Sequence, residues 1–292
     1  MYKNRKIRYK YIRSSRLDGV AELKSSISKA LEKKPSDNAS LIKHKPIPPK
    51  NNINLTIPSI SRSKKDIYIF FHICCIHKYI FVTNEMINEL LKSGLYDESK
   101  KIFYTILGNM DSNLRKRIIS LNKFELIHLS HDITEVEYPT LINLYNFTQK
   151  NDAYIMYIHT KGVSLPQDSF RQYWRKRLIQ KVIKEYKVCI SFLNEGSDVC
   201  GSGWKEKLDT ETNYNQGEYE HFSGNFWWSK SEFIKKLPNI FDIRDNFMCF
   251  KKVDFLKYRV QCEFWVGMAE NINVGVNGEL NKEYSNCNFY SL

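Results

Sequence analysis

The chain has 292 residues, 42% hydrophobic and 26% charged, a composition that excludes a collagen-like or disulfide-dense peptide and leaves room for one large domain or two small ones. Its formal net charge is +13, and residues 1–65 carry all of it, with 17 Lys and Arg against four Asp and Glu. The remainder sums to neutrality, so no broad basic face of the kind a nucleic-acid duplex needs is implied there.

The basic stretch also holds five of the eight prolines, among them Pro46, Pro48 and Pro49. Residues 1–65 therefore read as a low-structure arm or linker. The cluster Lys3, Arg5, Lys6, Arg8, Lys10, Arg13 and Arg16, interleaved with Tyr2, Tyr9 and Tyr11, suits an anionic surface such as membrane headgroups, or else a solvated tail. No stretch approaches the ~20 apolar residues of a membrane span. The longest, Ile67–Ile76, contains His72, and the N-terminus has no signal-peptide core. Seven cysteines without a C-x-x-C pair argue against a disulfide framework and a zinc site, and suit a reducing, cytoplasmic compartment.

From Asp66 the chain alternates short β-branched and aromatic runs with longer amphipathic segments, the pattern of an α/β fold with a mostly parallel sheet flanked by helices. Strands are expected at 67–71, 101–107, 124–129 and 153–158, a strand edge at 198–201 and a sixth strand at 222–228. Helices are expected at 79–92, 113–121, 139–149, 170–193 and 231–237. Ser93-Gly94 stops the first helix, Pro139 fits a first helical turn, and Ser229 is placed as a cap. The polar run 203–220 reads as a mobile loop.

In a parallel α/β sheet ligands bind beyond the carboxyl ends of the strands, and three exits hold unusual chemistry. His72 follows the opening strand, either as a core histidine or as a ligand contact. In Tyr157-Ile158-His159-Thr160-Lys161-Gly162 an apolar strand runs into an imidazole, a hydroxyl and an ammonium ahead of a glycine, a grouping that grips a diphosphate. In His221-Phe222-Ser223-Gly224-Asn225-Phe226-Trp227-Trp228, flat aromatic faces and polar groups surround one glycine and suit sugar rings. Trp174, Arg175 and Arg171 open the long helix after the second of these, where they can close on phosphates.

These segments, with Lys92–Asp97, Glu137–Leu141, Tyr173-Trp174-Arg175 and Glu263-Phe264-Trp265, resemble in consistent order over residues 66–270 the GT-A-type glycosyltransferases. The chain is similar to the rhamnan-synthesis family of bacterial polysaccharide assembly and to related proteins of large DNA viruses and algae. The resemblance implies a Rossmann-type glycosyltransferase domain over 66–292 that moves a sugar from a nucleotide-diphosphate donor to a hydroxyl acceptor on a glycan or glycoconjugate. For that chemistry the strand exits and the long helix offer His72, His159, Thr160, Lys161, Trp174 and Arg175 as donor-binding candidates, and the aromatic run offers Ser223, Gly224, Asn225, Trp227 and Trp228 as sugar- or acceptor-binding candidates. The family's Asp-x-Asp metal clamp reads His159-Thr160-Lys161 here, so a Mg²⁺ or Mn²⁺ site is not supported, and His159 with Lys161 is expected to neutralise the diphosphate instead. Glu263 is the expected base, its carboxyl raised by burial, with a structural salt bridge as the rival reading and Asp198 and His221 as reserves. Two other readings stay open: a nucleic-acid-binding protein acting through the arm, and a non-catalytic carbohydrate-binding relative.

Overall fold

The structure, a computed structural model, describes residues 8–11, 65–163, 169–205, 220–248 and 255–278. The chain divides into residues 1–12 with 65–292, and residues 13–64. The second unit lies outside the described residues, as does most of the basic arm, and the account below is of the first.

Strand β1 is Arg8–Tyr11, and β2 is Asp66–Cys74. Along β2, Ile67, Ile69, Phe71 and Ile73 point into one apolar cluster and Phe70 into another. A strand buried on both faces needs cover on both. Helix α1, Tyr79–Lys92, covers the first face with Val82, Met86 and Leu90, spaced by four. It ends at Ser93, whose amide bonds back to the Glu89 carbonyl, and at Gly94 with φ of 77°, the stop read from the residues. The short helix α2, Leu95–Glu98, leads into β3, Ser99–Leu107. Helix α3, Ser112–Ile119, is capped by Asp111, which accepts from the amides of Asn113 and Leu114. Strand β4 is Phe124–Ser130, and a 3₁₀ turn at Ile133–Glu135 precedes α4, Tyr138–Lys150. Helix α4 covers the second face with Tyr138, Leu141 and Leu144, and Pro139 sits in its first turn as expected.

Strand β5, Ala153–His159, is followed by α5, Ser169–Leu178, a π-helical turn at Ile179–Lys184, and α6, Tyr186–Asn194. The one long helix expected over 170–193 is therefore interrupted. The cause is visible in the carbonyls: that of Lys181 accepts from Asn277 Nδ2 at 2.7 Å and that of Val182 from Trp228 Nε1 at 2.9 Å. Side chains from elsewhere hold carbonyls that a regular helix would bond itself, and the turn widens.

Strands β6, Val199–Gly201, and β7, Trp204–Lys205, come next. The expected strand at 222–228 is two strands: β8, His221–Phe222, pairs with β7 in a small separate sheet, and β9, Trp227–Lys230, joins the main one. Between them Gly224 and Asn225 have φ of 95° and 52°, which no strand accommodates. Helix α7, Ser231–Ile234, is shorter than expected, and Ser229 is not its cap, since its hydroxyl donates to the Asp198 carbonyl. Helices α8, Ile240–Met248, and α9, Phe255–Phe264, and strand β10, Asn273–Val276, complete the described chain. Residues 206–219, most of the polar run read as a loop, lie outside the described residues.

The main sheet has the order β1-β10-β6-β9-β5-β2-β3-β4, and its neighbours are parallel except for β9, which runs antiparallel to β5 and β6. This is the mostly parallel α/β sheet the alternation predicts. From β2 the chain steps outward to β3 and β4, then returns to lay β5 on the other side of β2. The carboxyl ends of β2 and β5 thus flank the point where strand order reverses, where an open α/β sheet leaves a crevice.

Candidate active site

A cavity of about 160 Å³ lies at that reversal. His72 and Cys74 reach it from the end of β2. His159, Thr160, Lys161 and Gly162 come from the exit of β5, Val136 and Glu137 from the approach to α4, Arg171 and Trp174 from α5, and Arg259 from α9. Five of the six donor-binding residues expected from the sequence meet here; Arg175 does not.

Thr160 stitches the two strands. Its amide donates to the His72 carbonyl, extending the β2–β5 ladder, and its hydroxyl accepts from the Cys74 amide at 3.0 Å. His72 is buried and its Nδ1 lies 2.9 Å from the Thr140 hydroxyl. Burial brings its imidazole down to about 4, so it is neutral near pH 7. The Cys74 thiol is pushed up to about 11, chiefly by burial, and is likewise neutral.

His159 is held from both sides of its ring: Nε2 is 2.9 Å from the Gly224 carbonyl, and Nδ1 is 3.4 Å from Glu137 Oε1. Burial lowers its affinity for a proton more than Glu137 raises it. The expectation that His159 contributes a positive charge to the site is therefore corrected, because a buried imidazole stays neutral. Among the described residues, the cations that line the cavity are Lys161, Arg171 and Arg259. Lys161 Nζ stands 3.5 Å from Glu263 Oε1 and 4.4 Å from the centre of the Trp174 ring, which covers it.

Glu263 also differs from expectation. Burial alone would raise its carboxyl, but Lys161, His221, Arg259 and His159 outweigh burial and bring it to about 2. Its other oxygen faces the Gly224 amide at 3.4 Å. It is an ion-paired carboxylate with little appetite for a proton, the rival that its sequence context left open. Asp198 lies at the amino end of β6, the opposite end of the parallel strands from the cavity. Its carboxylate accepts from the Asn273 amide at 2.9 Å and from Asn273 Nδ2 at 3.3 Å, which makes it a tie between β6 and β10. His221 is buried against the Phe264 ring, 4.9 Å between centres, and does not line the cavity.

Arg175 is fully buried and its Nε donates to Glu85 Oε2 on α1 at 2.7 Å. It turns away from the cavity because α5 presents Trp174, not Arg175, to the strand exit. The tryptophans of the aromatic run are corrected for a similar reason. β9 is an interior strand, so Trp227 and Trp228 go to opposite cores, the first stacked on Tyr157 and the second bonded to the π turn. Both are fully buried, and Ser223, Gly224 and Asn225, also buried, lie behind the cavity wall. The turn they form supports the site. Gly224 gives its carbonyl to His159, and a Cβ there would meet Leu178 at 2.7 Å and Trp174 at 3.2 Å.

Glu137 and Arg259 are the residues that the site assignment from sequence missed. Glu137 looks like the preface to a helix, and only the return of the chain from β4 to β5 brings it against His159. Arg259 lies four residues before Glu263, a spacing that puts both on one helical face and was open to reading. The β5 exit itself offers an imidazole whose Nε2 is bonded to a carbonyl, a hydroxyl bonded to an amide, and an ammonium, and so supplies no carboxylate ligand of the kind a divalent metal prefers. Among the described residues no three His, Cys, Asp or Glu side chains come together as a metal site, and no helix is long and apolar enough to cross a membrane.

No curated protein matches the chain by sequence. Solved structures that align with it include a 4-diphosphocytidyl-2C-methyl-D-erythritol synthase, with 6% identity over 74% of this chain and 89% of that one and a TM-score of 0.35. Another is glucosyl-3-phosphoglycerate synthase from Mycobacterium tuberculosis, in complex with Mn²⁺, UDP and phosphoglyceric acid, with 14% identity over 75% and 72% and a TM-score of 0.32. A third is core-mannan synthase A from Aspergillus fumigatus in an Mn/GDP form, with 10% identity over 73% and 69% and a TM-score of 0.30. Likeness of this degree is loose, and neither the topology nor the site described above rests on it. The family model that matches covers residues 77–267, more than half of the chain, and by it the chain belongs to the family described as a domain of unknown function, DUF8361.

Proposed function

We propose that this chain is a glycosyltransferase that binds a nucleotide-diphosphate sugar in the cavity between β2 and β5 and passes the sugar to a hydroxyl acceptor on a glycan or glycoconjugate. The observation that carries the reading is the charge of the cavity at its place in the sheet. At the strand-order reversal, Lys161, Arg171 and Arg259 meet the carboxylates of Glu137 and, behind Lys161, Glu263. The imidazoles and the thiol there are neutral, so the charge that the described residues bring to the cavity is that of three cations and two carboxylates, a polar lining suited to a diphosphate. The resemblance over residues 66–270 supports the same chemistry and implies the GT-A type of domain.

In this reading Lys161 and the two arginines hold the diphosphate and stabilise the charge it gains on departure. Trp174 covers the Lys161 ammonium and limits its hydration, which strengthens its pull on an anion. Thr160 and His72 shape the floor and carry no charge.

Thermal-shift and calorimetric measurements with UDP-, GDP- and dTDP-sugars test the proposal. One of these donors is expected to bind, and Lys161→Met to weaken it by about 10- to 100-fold, the loss of one charge-assisted contact. Absence of binding by every donor, or full affinity in the Lys161→Met protein, would refute it. A non-catalytic relative would bind the donor yet neither transfer nor hydrolyse its sugar.

A further inference from the structure

Glu137 is buried, with 5% of its surface exposed, yet it lines the cavity. Its Oε2 is engaged twice, accepting from the Tyr157 hydroxyl at 2.5 Å and from Asn225 Nδ2 at 2.6 Å. Asn225 cannot be turned the other way, because its Oδ1 accepts from the Trp227 indole at 2.8 Å, and an indole N–H only donates. Both donors are themselves fully buried. The carboxylate is thus clamped in one orientation through Oε2, and Oε1 stands outside that clamp.

Oε1 faces His159 Nδ1 at 3.4 Å. The Gly224 carbonyl can only accept, so the His159 ring carries its hydrogen on Nε2. In the neutral ring, the form burial favours, Nδ1 then presents a lone pair to a carboxylate oxygen that also presents lone pairs. Two acceptors facing each other repel until a proton comes between them, after which each bonds to it. A proton arriving between them has an acceptor on either side, and the pair borders the site where a hydroxyl must lose one. Glu263 offers no such gain, since its carboxylate is already matched by Lys161 and Arg259.

We propose that Glu137, clamped by Tyr157 and Asn225 and backed by His159 Nδ1, is the group that takes the acceptor's proton during sugar transfer. The inference rests on the glycosyltransferase reading and deepens it. The acceptor O–H bond breaks and its proton goes to Glu137 Oε1, where Nδ1 shares it. The freed oxygen lone pair forms the bond to the anomeric carbon, whose bond to the diphosphate oxygen breaks with its electron pair leaving on the diphosphate. The sugar is transferred with inversion.

Glu137→Gln separates this role from a structural one. The amide oxygen of Gln can accept from Tyr157 and Asn225, and its NH₂ can donate to Nδ1, so the variant satisfies every contact in the network while being unable to accept a proton. It is expected to fold, to bind the donor with affinity within about threefold of wild type, and to lose roughly 10²- to 10⁴-fold in kcat. A kcat close to wild type, or a loss of that size confined to Glu263→Gln, overturns the assignment, as does product with retained anomeric configuration. If no sugar nucleotide is bound or consumed by the wild-type protein, the glycosyltransferase reading fails and the base role fails with it. Nitrogen-15 NMR of the histidines tests the pair without activity: a neutral Nε2–H ring for His159 at pH 7 is expected, and an imidazolium or an Nδ1–H ring overturns the proposal.

Discussion

Arg175 is the residue for which sequence and structure make opposite forecasts, so its replacement is the most informative single change. The guanidinium is fully buried, with Nε 2.7 Å from Glu85 Oε2, and the Glu85 side chain keeps 18% of its surface. Arg175→Met fills much of the space but leaves that carboxylate without its ion partner. Removing one member of a buried pair costs about 3–5 kcal/mol. Glu85 can recover part of its hydration through its exposed edge, which brings the expected loss below that range, to about 2–3 kcal/mol. For a folded unit of this size, 1 kcal/mol corresponds to roughly 2–4 °C, so the melting temperature should fall by about 4–12 °C. Arg175→Met with Glu85→Gln should recover most of the loss, because the second change removes the unmatched charge. Thermal unfolding of the two single variants and the double variant closes the cycle, and donor affinity is measured below the transition. A stable Arg175→Met protein that has lost donor binding would refute this assignment and return Arg175 to the donor site.

Gly224→Ala should destabilise the protein by about 1–3 kcal/mol, since φ of 95° disfavours any Cβ and Leu178 stands 2.7 Å from where it would go. A melting temperature within a degree of wild type would contradict that geometry. Trp228→Phe should lower the denaturant midpoint, because it forfeits the bond to the Val182 carbonyl, and leave donor affinity unchanged; weakened donor binding in a folded variant would place the ring at the sugar after all. Stability should also fall with acid in two stages. His72 is held at about 4 against an ordinary 6.5, and a folded value below the unfolded one means stability present above pH 6.5 and lost as pH drops through 4. Glu263, held at about 2 against 4.5, extends the loss from about pH 4.5 toward 2 by the same sign, up to about 3 kcal/mol. Urea midpoints measured from pH 7 to 3 follow both stages: His72→Gln should flatten the first, and a wild-type midpoint constant between pH 6.5 and 4 would refute it.

Local pattern was legible wherever one face or one period decided the element. The run Ile67–Phe71 announced a strand, 79–92 an amphipathic helix with its glycine stop, and Pro139 a first turn. Boundaries drifted where side chains from distant positions intervened, as at the π turn, whose carbonyls are taken by Trp228 and Asn277. The run at 221–228 is ambiguous in sequence for a related reason: aromatic faces suited to sugars and aromatic faces suited to a core have the same composition, and only the placement of β9 between β5 and β6 assigns them to the core.

By itself the amino-acid order determined the alternating α/β layout, the concentration of positive charge in residues 1–65, and the polar strand exits at His72 and His159–Lys161. These depend on residues near one another in the chain. Tertiary structure alone decided which charges survive and which side chains meet. Burial neutralises His72 and His159, Lys161 with its neighbours ionises Glu263, and the return of the chain from β4 to β5 sets Glu137 against His159. Desolvation and Coulomb interaction act through distance in space, and no local pattern in the sequence encodes that distance.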